Sequence, residues 1–381
     1  MTDGTTKLNI QFDKESYAKQ STNTLRSLAS ESRTPEKIYH AFGNEGFFKK
    51  TLSYIHDIDK KHGPFSEQDS IFYQELQHDY DVAERFTGIC IRNWQKGNRP
   101  SLPAIVTQLA YRAGCDELDN DEIAVMKAML LISARAEMIK GAPPETSTRS
   151  QKENPYHNTV HTANVTTIVG FLVEKNKELS NLGHSPALTR KDHMLLLLTA
   201  LAHDIDHNGG KNKAGKYDME DHAFNVILPI MEAVDMKQDD IERVHLMIRA
   251  TSPDGPHGHL TKIAAAYRES KSPDLSVIDP DNKFPELRRF LTDEKLTEMA
   301  AILTDADLYA SSGAGFEANK LMSEALTKEL QNNGIDVDFT TSSARNFFLT
   351  NVLGKGYSSH AANTSFGTRL DQLRNYPDTQ P

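Results

Sequence analysis

Residues 154–164 read NPYHNTVHTAN, and residues 203–209 read HDIDHNG. A third polar element, TDADL, follows at residues 304–308. His157 and His161 are four positions apart, so on a helix their side chains lie on one face, one turn from each other. Together the three stretches supply imidazoles and carboxylates at spacings that can hold two divalent metals.

The segments that precede the second and third stretches are apolar nearly all round. Residues 194–202 (MLLLLTALA) and residues 299–303 (MAAIL) have the composition of helices that are buried on every side. His203 and Asp204 end the first of these helices, so we expect their side chains deep in the fold. A buried imidazole or carboxylate needs a partner, and a divalent cation is a suitable one. Nitrogen and oxygen ligands without thiolate suit zinc at a tight site and Mg²⁺ or Mn²⁺ at a wetter one.

The order HNxxH, then HDxxHxG, then a distant Asp resembles the class I 3′,5′-cyclic nucleotide phosphodiesterases. Tyr156, directly before the first His, strengthens the match, and MEDH at 219–222 and Ala-Thr at 250–251 extend it. The likeness runs from roughly residue 120 to the C-terminus. A single His-Asp pair occurs in phosphohydrolases of many kinds, whereas the two motifs together are specific.

The resemblance implies a role for each matching residue. Four residues would hold the tighter metal, with Asp204 bridging to the second metal: His161, His203, Asp204 and Asp307. Three others would orient the waters of the second metal: His207, Glu220 and Thr251. A hydroxide between the two metals would attack phosphorus. His157 would bind no metal and would act as the general acid that protonates the leaving O3′ oxygen.

The positions that would recognise the base depart from the family. Ala310 stands where the family has an asparagine that contacts the purine, and Asn363, three residues before Phe366, replaces a glutamine with a shorter amide. Tyr156, Asn363 and Phe366 are therefore the candidate substrate-binding residues. The implied reaction is hydrolysis of cAMP, cGMP or both to the 5′-monophosphate, and hydrolysis of a phosphoester is the firmer part of that expectation.

Two other acidic stretches have simpler interpretations. His56–Gly63 imitates HDxxH, but it contains two lysines and no HNxxH precedes it, so we expect a solvated helix surface there. Asp305 is two residues from Asp307 and points away from it on a helix, so we expect it to support the site indirectly or to be incidental.

Composition limits the remaining possibilities. The chain has 381 residues and a formal net charge of −10, with no evident stripe of Lys and Arg, so nucleic acid is not an expected partner. The apolar runs are too short to span a bilayer, and the polar start gives no sign of a secretory leader. Two cysteines make neither a disulfide framework nor a thiolate zinc site, and we expect a cytoplasmic protein.

Apolar residues recur at helical spacing along the chain, and convincing alternating strands are absent. We therefore predict an all-α fold with a compact multi-helix, HD-type core. We expect residues 1–35 to form a loosely ordered tail, residues 36–140 a helical N-terminal part, and residues 141–381 the helical metal-binding catalytic core. The predicted helices are 67–96, 121–139, 157–178, 190–203, 220–234, 238–250 and 318–332.

Two further functions stay open at this level. One is an HD-type metal phosphohydrolase that acts on another phosphoester, which would explain Ala310 and Asn363. The other is a non-catalytic binding protein that keeps the metal fold as a scaffold and uses its N-terminal third for a protein partner. Retention of His157, which serves no obvious structural need, argues against the second.

Overall fold

The fold is known from a computed structural model that describes residues 14–62, 91–95, 98–112, 118–141, 154–209, 217–252, 257–269, 271–281, 283–312, 315–354 and 356–374. Within these ranges the regular elements are helices, and no strand occurs. The prediction of an all-α fold is confirmed. Most of the predicted helix 67–96 lies outside the described residues, although 91–95 are helical.

The described residues contain the following helices. In chain order they are α1 Lys14–Ser30, α2 Pro35–Ala41, α3 Glu45–His62, α4 Leu102–Arg112, α5 Asn120–Gly141, α6 Thr159–Asn181, α7 Arg190–Ala202, α8 Asp218–Ala233, α9 Gln238–Ala250, α10 His257–Arg268, α11 Leu275–Ile278, α12 Leu287–Phe290, α13 Glu294–Ser312, α14 Gly315–Asn332, α15 Ser342–Phe347, a π-helical turn Phe348–Val352, and α16 His360–Arg374. Among the described helices, none has the length and apolar composition needed to cross a membrane.

Helix α7 lies at the centre of the fold. It begins with a capping box in which the Thr189 hydroxyl accepts from the Asp192 backbone N–H and the Asp192 carboxylate accepts from the Thr189 backbone N–H. All residues from Asp192 to Ala202 are buried. The helix packs against α5, α6 and α9, which explains why its sequence is apolar on every face.

Three helices that pack against one another position the polar motifs. Helix α6 contacts both α7 and α13, and α13 contacts α7 as well. Helix α13 is also covered by α9, α10 and α14. The first turn of α6, the end of α7 and the fourth turn of α13 therefore meet, although their sequences are far apart.

The N-terminal region corrects one expectation. Residues 14–30 of the predicted loosely ordered tail form α1, which packs along α3. Ala18, Leu25 and Ala29 are buried at spacings that place them on one helical face, and this stripe stabilises the helix. Residues 1–13 lie outside the described part of the chain. One buried apolar cluster runs from Leu25 to Ile302 and beyond, so position 140 does not divide two separate cores.

The described part of the imitation motif, His56–His62, is only partly the solvated surface that we expected, and Gly63 lies outside the described residues. Lys60 and Lys61 are exposed on α3, but Asp59 is fully buried and accepts a hydrogen bond from the Ser101 backbone N–H at 3.4 Å. The expectation was wrong for Asp59 because α3 turns this side chain toward the start of α4. Burial raises the pKa of Asp59 to about 6, despite the hydrogen bonds from Ser101 that favour its charged form.

Asp59→Asn should stabilise the protein at pH 8 and change its stability little at pH 4. A carboxyl whose folded pKa is raised lowers the free energy of unfolding as the pH rises from about 4 to about 6, and the deficit persists above that range. At about 1.4 kcal/mol per pKa unit, removal of the charge is worth up to about 3 kcal/mol at pH 8. Urea unfolding at both pH values measures the difference.

Asp57→Asn, an exposed position on the same helix, is the matched control and should have little effect at either pH. Equal effects of Asp59→Asn at pH 4 and pH 8 would contradict the burial of a charged Asp59.

Candidate metal centre

Asn158 begins α6 and fixes the direction of its first turn. Its side-chain oxygen accepts hydrogen bonds from the backbone N–H groups of Val160 at 2.8 Å and His161 at 3.2 Å. Its amide nitrogen donates to the Asn154 carbonyl at 3.1 Å, and the Asn154 side chain donates to the His207 carbonyl at 2.7 Å. The NPYHN stretch thus joins the start of α6 to the loop that carries the second motif.

Two imidazoles and two carboxylates converge where α6, α7 and α13 meet. His161 Nε2 lies 3.1 Å from Asp204 Oδ2 and 3.1 Å from Asp307 Oδ1. His203 Nε2 lies 3.2 Å and 3.5 Å from the same two oxygens. One potential ligand atom from each of the four residues lies within 4.8 Å of every other. The structure therefore brings together all four residues that the family resemblance assigned to the tighter metal.

The four groups perturb one another strongly. Burial opposes charge on both rings, but the neighbouring carboxylates outweigh it, so the pKa of His203 rises to about 10 and that of His161 rises above its usual value. Burial likewise opposes charge on the carboxylates, yet the histidines hold the pKa of Asp204 and the pKa of Asp307 well below their usual range. A cation that binds here must displace protons from the imidazoles, so its affinity will fall in acid.

The donor set fits a divalent metal. The Nδ1 atom of His203 donates to the Ala200 carbonyl at 2.9 Å, which fixes the ring and directs Nε2 at the carboxylates. Among the described residues, the Nε2 atoms of His203 and His161 make no contact with hydrogen-bond geometry, although both are buried. A shared cation could satisfy buried imidazole nitrogens that face carboxylates without such geometry.

His157 lies beside this cluster and is held from behind by Glu329. Its Nδ1 contacts Glu329 Oε1, and the backbone N–H groups of His157 and Tyr156 donate to Glu329 Oε2 at 2.9 and 2.8 Å. His157 Nε2 is 3.8 Å from Asp204 Oδ2. Burial opposes charge on Glu329, but the contact with His157 lowers the pKa of Glu329. The imidazole therefore presents Nε2 toward the cluster.

Our sequence interpretation did not include Glu329. It lies on α14, within the predicted helix 318–332, and its side chain is fully buried. It follows the buried Met322 by seven positions, which places a carboxylate on the apolar face of this helix. A carboxylate on the apolar face of a predicted helix was the sequence signal that could have revealed Glu329.

His207 stacks on His157, with ring centroids 3.8 Å apart. Its Nδ1 accepts from the Gly209 backbone N–H at 3.0 Å, so the proton of the neutral ring is on Nε2. Gly209 has φ +75°, and a Cβ there would lie 2.9 Å from Asn333 Nδ2 and 3.0 Å from Glu329 Cγ. The glycine of HDxxHxG is needed because the loop passes this close to α14.

Glu220 and Thr251 lie at helix ends. Glu220 is buried in the first turn of α8, and the Thr251 hydroxyl donates to the Ile248 carbonyl at 2.8 Å at the end of α9. The Thr304 hydroxyl contacts the Ala250 carbonyl at 3.4 Å, which brings the end of α9 against α13. The assignment of Glu220 and Thr251 to waters of a second metal stays a prediction.

The structure does not support Asn363 and Phe366 as base-binding residues. Asn363 Oδ1 accepts from the Tyr357 backbone N–H at 3.0 Å, and Nδ2 donates to the Tyr357 and Ser359 carbonyls. Both ends of this amide are therefore occupied by the turn that begins α16. Phe366 is fully buried, with its ring centroid 4.5 Å from that of Tyr309 and 5.6 Å from that of Phe171. Spacing to a phenylalanine does not distinguish a pocket ring from a core ring, so base binding by Asn363 and Phe366 stays a prediction that these contacts do not favour.

Tyr156 and Asp305 occupy different surroundings. The ring of Tyr156 is buried, with its centroid 4.8 Å from that of His157 and 4.7 Å from that of His161. Asp305 accepts from the backbone N–H groups of Ser358 at 2.9 Å and Ser359 at 2.7 Å. Asp305 is therefore structural: it fixes the start of α16 on α13, although burial raises its pKa to about 7.

Comparison with known proteins relates part of the chain to a known family. His and Asp side chains that converge from neighbouring helices can form a metal site in a helical core. Residues 156–336 match the model of the 3′5′-cyclic nucleotide phosphodiesterase family. The match supports a class I cyclic nucleotide phosphodiesterase domain in this part of the chain, and the resemblance seen in the motifs is confirmed.

Two solved structures are similar to the chain. One is LmjPDEB1 in complex with IBMX, at 14% identity over 92% of this chain and 87% of that one, with a TM-score of 0.45. The other is the phosphodiesterase domain of Salpingoeca rosetta rhodopsin phosphodiesterase, at 18% identity over 80% of this chain and 90% of that one, with a TM-score of 0.42. Comparison with curated proteins found no match.

Phe366→Ala should destabilise the fold by about 3–5 kcal/mol, because it leaves a cavity among fully buried rings. Phe347→Ala, at a ring that is 64% exposed, is the matched control and should change the free energy of unfolding by less than about 0.5 kcal/mol. Urea unfolding of the two variants measures both values. If Phe366→Ala left the free energy of unfolding unchanged and raised the KM for a cyclic nucleotide, the result would support the base-stacking role instead.

Proposed function

We propose that this chain hydrolyses a 3′,5′-cyclic nucleotide, cAMP or cGMP or both, to the 5′-monophosphate, with His157 as the general acid. The observation that carries the proposal is the convergence of His161, His203, Asp204 and Asp307 beside an imidazole that Glu329 holds in place. The family match over residues 156–336 supports the same reaction.

The proposed reaction needs neutralisation of the negative charge on the phosphate and a proton for the departing oxygen. Divalent cations held by His161, His203, Asp204 and Asp307 would neutralise charge on the phosphate and lower the pKa of water. Zinc suits the buried nitrogen and oxygen donors, and Mg²⁺ or Mn²⁺ suits a wetter second position served by His207, Glu220 and Thr251.

The role of His157 follows from its two ring nitrogens. The contact of Nδ1 with the Glu329 carboxylate fixes the orientation of the ring, and as the general acid the ring would carry the transferable proton on Nε2. That nitrogen lies on the cluster side, 3.8 Å from Asp204 Oδ2. It can deliver its proton to the O3′ oxygen when the P–O3′ bond breaks, and Glu329 keeps the ring in the required orientation.

A second candidate is hydrolysis of a different phosphoester by the same residues. It is favoured by the base-recognition positions: Ala310 carries no hydrogen-bonding side chain, the amide of Asn363 is engaged by the backbone, and Phe366 is buried. The non-catalytic scaffold is disfavoured by the His157–Glu329 pair, which a scaffold does not need. Turnover of cAMP, cGMP, cyclic pyrimidine nucleotides and linear diesters with Mn²⁺ or Mg²⁺ separates these functions.

His157→Asn should lower kcat for the best cyclic nucleotide by about 10²–10⁴-fold, as loss of a general acid does. The loss should be much smaller for bis(p-nitrophenyl) phosphate, because p-nitrophenolate leaves without protonation. Steady-state kinetics with both substrates measure the two ratios.

His40→Asn, at an exposed histidine on α2, is the control and should leave both rates unchanged. Equal losses for the two substrates in His157→Asn would show that His157 does not donate the proton.

A further inference from the structure

A cavity of about 440 Å³ lies between α3, residues 91–95, the start of α6 and the end of α14. Its walls include Tyr54, Ile58 and Trp94 on the N-terminal side and Thr159 and Lys328 on the catalytic side. None of the metal-site residues described above lines it, and neither does His157. This volume is within the range of pockets that bind small molecules, about 300–1,000 Å³.

The lining offers one combination of chemical groups. Tyr54 and Trp94 provide two aromatic side chains, with Ile58 as an apolar surface beside them. The Thr159 hydroxyl and the Lys328 ammonium make no hydrogen bond or ion pair with any other residue of the described ranges, so both are available to a ligand. The second cation of the lining, Arg99, is engaged by Glu137. Aromatic walls beside the Thr159 hydroxyl and the Lys328 ammonium fit a planar aromatic ring that bears an anionic group.

The cavity shares its wall with the catalytic motifs. Asn154 and Asn158 line it, and these residues hold the His207 carbonyl and the backbone N–H of His161. Lys328 directly precedes Glu329, which orients His157. A molecule that fills the cavity would therefore contact Asn154, Asn158 and Lys328. These residues hold, or directly precede, the groups that set the positions of His207, His161 and His157.

We propose that this cavity binds a small planar aromatic anion and that its occupancy alters turnover at the metal centre. The second part rests on the proposed function, whereas the first does not. The two parts therefore need separate measurements.

The binding test uses Trp94, which is the single tryptophan of the chain, as its reporter. 4-Nitrobenzoate quenches indole fluorescence on contact, and 4-nitrobenzyl alcohol is its neutral counterpart. We expect saturable quenching by the anion, with affinity weakened about three- to fivefold in Lys328→Gln, as loss of an exposed charge pair implies. Lys320→Gln, an exposed position on the same helix, is the matched control and should not change it.

Tyr54→Ala should weaken binding of both compounds, because it removes an aromatic wall, and Lys328→Gln should leave binding of the alcohol unchanged. Asp307→Asn should retain full binding, since the cavity is separate from the metal site. Absence of saturable quenching, equal effects of the two lysine variants, or loss of binding in Asp307→Asn would overturn the site.

The coupling test uses bis(p-nitrophenyl) phosphate as substrate. Saturating 4-nitrobenzoate should change kcat of the wild-type protein by about fivefold or more, within the usual range of coupling between sites. The same concentration should have a smaller effect on Lys328→Gln. An unchanged wild-type kcat would overturn the coupling, and fluorescence would still report on the site if the protein hydrolysed no phosphodiester.

Discussion

Neutralisation of buried charge is the constraint on which the rest of this structure depends. Two imidazoles and two carboxylates are enclosed where α6, α7 and α13 meet, and neither kind of group tolerates burial alone. His161 and His203 face Asp204 and Asp307 at about 3 Å, so each charge has an opposite charge beside it, and removal of one partner would leave a buried charge uncompensated. The same proximity gives a divalent cation four donors on helices whose positions are fixed by the apolar core.

Around this cluster, polar side chains hold the reactive groups in position. Asn158 and Asn154 connect the start of α6 to the loop of His207, and Gly209 allows that loop to pass against α14. Glu329 then fixes His157 from the side opposite to the cluster. As the proposed proton donor, His157 would then need no rearrangement during the reaction.

Motif spacing and apolar periodicity predicted the all-α fold, the bounds of α6 and α7 to within a few residues, and the convergence of the four ligand candidates. Spacing within one helix could not reveal Glu329, because its contact with His157 joins segments 172 positions apart. Helical periodicity also missed α1, whose stripe of Ala and Leu is short and interrupted by polar residues. The base-binding roles of Phe366 and Asn363 could not be judged from sequence, because side-chain type alone does not show whether a residue faces a pocket or the core.

The most direct test of the central claim is anomalous diffraction from crystals of the protein soaked with Zn²⁺ or Mn²⁺. The account predicts a strong peak within bonding distance, about 2.0–2.2 Å, of ligand atoms from His161, His203, Asp204 and Asp307. It also predicts that Asp204→Asn weakens or abolishes this peak. Metal bound elsewhere, or no ordered metal at this cluster at neutral pH, would contradict it.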